Sequence, residues 1–109
     1  MQQLDPTELA AFCADHAAAL LLDVREPWEV ALAAIRIDGA AHADIPMGEL
    51  PARLAEIDPA RPVVCICHHG MRSAQVVAFL MQRGLQDVYN LDGGIAAWST
   101  LIDSDVPQY

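Results

Sequence analysis

The chain has 109 residues, enough for one hydrophobic core, and its hydrophobic fraction of 54% sets it apart from disordered sequences. Fifteen acids against six arginines and no lysine give a net charge of −9, a surface that repels phosphate backbones and argues against nucleic-acid binding. No apolar run is long enough to span a bilayer, Met1-Gln-Gln-Leu-Asp lacks the basic start and apolar centre of a signal peptide, and three cysteines form an odd set unsuited to a disulfide framework, so a cytoplasmic protein with a free thiol and no membrane partner is expected.

Gln2 to Leu4 can add a short strand, and Asp5-Pro-Thr-Glu reads as a helix start. Asp5 is the N-cap, Pro6 takes the first helical position, and Glu8 is placed to reach back as a capping-box acid. Leu9, Phe12, Cys13 and Ala17 follow at helical spacing, which predicts a helix to about His16 with Cys13 as a structural thiol on its apolar side. Leu20-Leu-Leu-Asp-Val reads as a strand buried on both faces, hence one of a parallel sheet. Asp23 interrupts it and needs backbone amides or an arginine as partners, because an unpaired buried charge is costly. Pro27 then opens a short helix expected to carry Trp28 inward.

Ile35 to Pro46 is the least regular stretch, with a turn at Gly39 and a short strand closing at Ile45-Pro46. Leu50, Leu54 and Ile57 predict an amphipathic helix over 48–57, and Asp58-Pro-Ala-Arg-Pro a turn. Val63 to Cys67 is a central strand, followed by a loop containing Gly70. A helix over 73–83 should bury Val76, Val77, Leu80 and Met81, with Gly84 as its C-cap. Asp87 to Leu91 reads as a further strand, Asp92-Gly-Gly as a turn, and 95–101 as a last helix burying Ile95, Trp98 and Leu101. The tail from Ile102 to Tyr109 reads as surface-packed coil. Strands alternating with helices over one domain, residues 1–109, predict an α/β fold: a mostly parallel sheet of about five strands with helices on both faces.

The chemistry concentrates at Cys67. It stands at the carboxyl end of a parallel strand, where such sheets bind ligands, and loop amides from His68 to Ser73 together with the following helix dipole favour a thiolate there. His68, His69 and Arg72 bring positive or partly positive charge to one mouth of an acidic protein, which suits a small anionic substrate with a leaving group. Ser73 can donate to the sulfur, and Arg72 can bind an anion or pair with a carboxylate such as Glu29. Cys65 lies inside the strand and reads as a core thiol. The Cys65-x-Cys67-His68-His69 spacing matches no usual zinc pattern, so no metal is expected.

Cys67-His-His-Gly-Met-Arg-Ser resembles the active-site loop of single-domain rhodaneses, Cys-x-x-Gly-x-Arg-Ser. Leu22-Asp-Val-Arg-Glu-Pro-Trp-Glu and Leu91-Asp-Gly-Gly-Ile-Ala-Ala-Trp are similar to two further motifs of that family, in the family's order. Ile35-Arg-Ile-Asp-Gly-Ala departs from its Gly-His-Ile-x-Gly-Ala, and about two residues more than usual precede Ile45-Pro46. The resemblance implies a rhodanese-like fold and a thiosulfate sulfurtransferase in which Cys67 carries a persulfide. Under it His68, His69, Gly70, Met71, Arg72 and Ser73 form the substrate loop, with Asp23 and Arg25 as its support. It implies no cofactor beyond the covalent persulfide, and a thiol acceptor, with thioredoxin as one candidate. Cdc25-type phosphatases and arsenate reductases share the fold but place five residues between cysteine and arginine, where Cys67 to Arg72 encloses four. A persulfide carrier or a non-catalytic module serving a partner protein is the remaining alternative.

Overall fold

The computed structural model describes residues 2–109. The apolar runs form five strands: β1 (Gln2–Leu4), β2 (Leu20–Asp23), β3 (Ala41–Asp44), β4 (Val63–Ile66) and β5 (Val88–Leu91). They pair in the order β1-β5-β4-β2-β3, each pair parallel, which gives the five-stranded parallel sheet expected. Every residue of β2 and β4 is buried, as the unbroken apolar runs require of central strands covered on both faces.

The connections are α1 (Leu9–Asp15), entered through a 3-10 turn at Pro6–Glu8, α2 (Pro27–Leu32), α3 (Leu50–Arg53), α4 (Met71–Gln82) and α5 (Gly94–Leu101). Side chains alternate across the sheet. Leu20, Leu22, Val63, Cys65 and Val88 face one core with Leu50, Val76, Val77 and Leu80 of α3 and α4. Leu21, Val64, Ile66 and Leu91 face the other with Leu9, Ile95 and Trp98 of α1 and α5. No helix of the described residues is long and apolar enough to cross a membrane.

Several local expectations change. Asp5 caps as predicted, but its carboxylate accepts from the Thr7 N–H (2.8 Å) and hydroxyl (2.7 Å), and it is Glu29 that reaches back within its own helix, accepting from the Glu26 N–H at 3.2 Å. Trp28 points outward at 61% exposure, because the buried position of short α2 belongs to Glu29. Met81 and Leu101 are exposed as well. Each lies beside the buried stripe of its helix, which periodicity alone does not separate from the stripe itself. The helix expected over 48–57 is one turn of α3 between 3-10 turns at Met47–Glu49 and Leu54–Glu56. Pro51 has no N–H to give Met47, whose carbonyl is taken by Leu50 instead.

The short strand lies at Ala41–Asp44 and its ladder runs on past the expected position, with Ile45 N–H on Asp23 O (3.0 Å) and Met47 N–H on Val24 O (2.9 Å). In the divergent segment Ile35 fills the core, while Arg36 stays outside and pairs with Asp44 at 3.3 Å. Helix α4 starts at Met71 rather than Ser73, because Gly70 in a left-handed conformation (φ 97°) turns the chain directly into it.

Candidate active site

β4 delivers Cys67, 1% exposed, to the carboxyl edge of the sheet, and the loop to α4 wraps around its sulfur. The Gly70 N–H donates to Sγ at 3.1 Å, and Ser73 Oγ, in the first turn of α4, lies 3.2 Å from it. Ser73 Oγ is also 2.5 Å from Asn90 Oδ1 on β5. A hydroxyl has one proton, so these two acceptors share it in turn. A thiol donates its own proton to Oγ while Ser73 serves Asn90; a thiolate draws the hydroxyl proton to sulfur. Asn90 also steadies the loop, its Nδ2 donating to Gly70 O at 3.1 Å and to Gln3 Oε1 at 3.1 Å.

The Asp92-Gly-Gly turn has a role the sequence did not disclose. The first amides of α5 donate to the loop's carbonyls, Ile95 N–H to Cys67 O at 2.9 Å and Ala96 N–H to His68 O at 3.0 Å. With these carbonyls tied back toward α5, the loop is free to present the Gly70 N–H to the sulfur, the one backbone amide of the expected His68-to-Ser73 set that bonds it. A Cβ on Gly94 would collide with both carbonyls, and Gly94 itself sits at φ 62°, so two separate constraints demand glycine there. At Gly70 a Cβ would come 3.3 Å from the Gly93 nitrogen.

Arg72 pairs with a carboxylate. Its Nη1 and Nη2 meet Glu29 Oε1 and Oε2 at 2.6 and 2.8 Å in a two-pronged fork. The fork leaves Nε–H and the outer hydrogens of both Nη groups available, and the side chain remains 36% exposed at the mouth. Arg72, first, and Tyr109 hold the Glu29 carboxyl down at about 2, against the opposing effect of burial.

Asp23 and Arg25, the residues expected to support the loop, pair with each other at the end of β2. Arg25 Nε lies 2.9 Å from Asp23 Oδ1 and Nη2 2.7 Å from Oδ2, the Arg25 N–H adds a third bond, and Nη2 also reaches Ala33 O. Asp23 is thus held by both the backbone amide and the arginine foreseen for it.

His68 and His69 stack on each other with ring centroids 4.0 Å apart, and His68 stacks on Tyr109 at 3.9 Å. Burial, and then the neighbouring His69, lower the His68 pKa, which favours its neutral ring. His69 and Met71 are exposed at the rim. Cys65 is fully buried in the α4-side core, where burial pushes its thiol well above the ordinary range and leaves it inert. Cys13, half-buried against the other core, is raised in the same way. Sequence reasoning missed Asn90 and Tyr109. Asn90 is a polar residue in a buried strand, a signal that was available; Tyr109 carried none.

The Rhodanese-like domain family matches this chain over residues 5–101. A sulfurtransferase of Allochromatium vinosum is 39% identical over 91% of this chain and 89% of its own length. The thiosulfate sulfurtransferase GlpE of Pseudomonas fluorescens is 37% identical over 83% of this chain and 79% of its own. Among solved structures, a rhodanese-related protein from Thermoplasma volcanium superposes with a TM-score of 0.76 at 31% identity, covering 98% of this chain and 96% of that one. The family match over residues 5–101 and these relatives at up to 39% identity place this chain, with its thiol-centred loop between β4 and α4, in the rhodanese-like domain family.

Proposed function

We propose that this protein is a sulfurtransferase that takes the outer sulfur of thiosulfate, or of a similar small anionic donor, onto Cys67 and passes it to a thiol or to cyanide. The observation that carries this reading is the pair of donors on one sulfur, Gly70 N–H and Ser73 hydroxyl, at the bottom of a mouth that displays Arg72. The thiolate attacks the sulfane sulfur of the donor. A new S–S bond forms, the donor's own S–S bond breaks, and sulfite leaves with the electron pair. The loop donors hold the terminal persulfide anion. An acceptor thiolate or cyanide then attacks that outer sulfur and displaces the Cys67 thiolate, which restores the enzyme. These are two half-reactions of covalent catalysis, so ping-pong kinetics follow.

Arg72 attracts the donor through the hydrogens its fork with Glu29 leaves unused, and His68 and His69 line the approach. The chemistry as written needs neither metal nor organic cofactor. The four residues between Cys67 and Arg72 make a cradle scaled to a persulfide sulfur rather than a phosphate, which favours this reading over phosphatase or arsenate reductase chemistry. Three free cysteines fit a reducing compartment, the cytoplasm, where thioredoxin and small thiols supply acceptors.

Thiocyanate formation from thiosulfate and cyanide tests the assignment. Wild type should turn over, Cys67→Ser should not, and retained activity in that variant would end the proposal.

A further inference from the structure

The segment 102–109 is the surface-packed coil expected of it, and specific bonds hold it down. Val106 N–H donates to Asp103 O, Ser99 Oγ donates to Val106 O at 2.6 Å, and Gln108 Nε2 donates to Thr100 Oγ1 at 3.2 Å, which fastens the segment along α5. It brings Tyr109 to the mouth of the Cys67 site, where the residue makes two kinds of contact. Its ring lies flat on His68, 8° from parallel, and meets the edge of Trp28 at 78°. Its hydroxyl accepts from Arg25 Nη1 at 2.9 Å, which commits its own proton to Glu29 Oε2 at 2.7 Å.

That second bond reaches Arg72. Glu29 gives one oxygen to each prong of the Arg72 fork, and each oxygen takes a further donor: the Glu26 N–H on Oε1 and the Tyr109 hydroxyl on Oε2. A carboxylate that shares its charge with additional donors neutralises its arginine less completely. The ring, meanwhile, covers one face of the residue that follows the nucleophile.

We propose that Tyr109 is a positioning and selectivity residue of this site: its hydroxyl tunes how much positive charge Arg72 shows to an incoming anion, and its ring, against His68, narrows the approach to Cys67. The consequence for sulfur transfer rests on the reading of Cys67 as the sulfur carrier, but the geometry acts on any anionic reagent that approaches the thiolate.

Alkylation of Cys67 tests this without requiring sulfur transfer. In a Cys13→Ala background, rates with anionic iodoacetate, neutral iodoacetamide and a bulky neutral maleimide are compared for wild type, Tyr109→Phe, Tyr109→Ala and the control Tyr89→Phe, whose hydroxyl bonds only Asp87, away from the site. Loss of the hydroxyl should lower the iodoacetate-to-iodoacetamide ratio roughly threefold, the scale of a partly exposed charge interaction. Tyr109→Ala should also raise the maleimide rate, roughly tenfold over Tyr109→Phe, as the wall is lost. The control should match wild type. With thiosulfate, Tyr109→Phe should raise KM and leave kcat unchanged. A wild-type alkylation ratio in Tyr109→Phe, or a maleimide rate equal in the two Tyr109 variants, overturns the proposal. A wild type that alkylates as described yet forms no thiocyanate would instead sink the sulfurtransferase reading and leave this one standing.

Discussion

Two arginine–carboxylate forks flank the mouth of the site, and the chain assembles them in opposite ways. Asp23 and Arg25 are two residues apart, at the end of a central strand, with Arg25 only 1% exposed. Glu29 and Arg72 come from α2 and from the nucleophile loop, 43 residues apart, and Arg72 keeps a third of its surface in water. Tyr109 touches both forks through one hydroxyl. The difference is one of task. The buried fork has every arm committed to protein groups and can only hold the turn after β2 in shape. The mouth fork has spare hydrogens facing solvent, so it can hold α2 against the loop and still meet a ligand.

Breaking the buried fork should have the largest effect. Arg25→Met leaves the Asp23 carboxylate buried without its partner, and a loss of about 3–5 kcal/mol in denaturant unfolding is expected. A loss below about 1 kcal/mol would mean that the Asp23 site is wetter than its burial implies.

Breaking the mouth fork should separate stability from activity. Arg72→Met should lower kcat/KM for thiosulfate about 100-fold, the scale of removing one preorganised charge-stabilising donor. Its cost in stability should be smaller than that of Arg25→Met, because Arg72 is partly solvated. An equal stability loss with unchanged kinetics would make the two forks alike.

The smallest effect is the pH response. The Glu29 carboxyl is lowered from its ordinary 4.5 to about 2 in the folded protein, so its contribution to stability is complete above the ordinary value and is lost as pH falls through about 2. In Arg72→Met the carboxyl returns toward its ordinary value, and acid unfolding should begin at a higher pH than in wild type. Coincident acid transitions would contradict the pairing.

The same contrast explains what could be read from the residues alone. Strands β2 and β4, Cys67 at its strand end, the core position of Cys65 and the arginine partner of Asp23 were legible because each is set by an unbroken apolar run or by neighbours a few residues apart. Glu29 could be named as a partner for Arg72, since an arginine at the mouth of an acidic protein invites a carboxylate. The outward turn of Trp28 was not legible, because it follows from Glu29 taking the inward position of a short helix. Tyr109 was hidden more deeply. Its partners lie 80 and 84 residues away, in a tail whose composition reads as coil. The hold of α5 on the Cys67 and His68 carbonyls was likewise invisible, although the glycines that permit it were plain.

The most direct test of the central claim is to treat the protein with thiosulfate, without an acceptor, and map the product by mass spectrometry. One sulfur atom should be added, located on Cys67, absent from Cys65 and Cys13, and removed by cyanide. An unmodified Cys67, or a sulfur carried on either of the other cysteines, would contradict it.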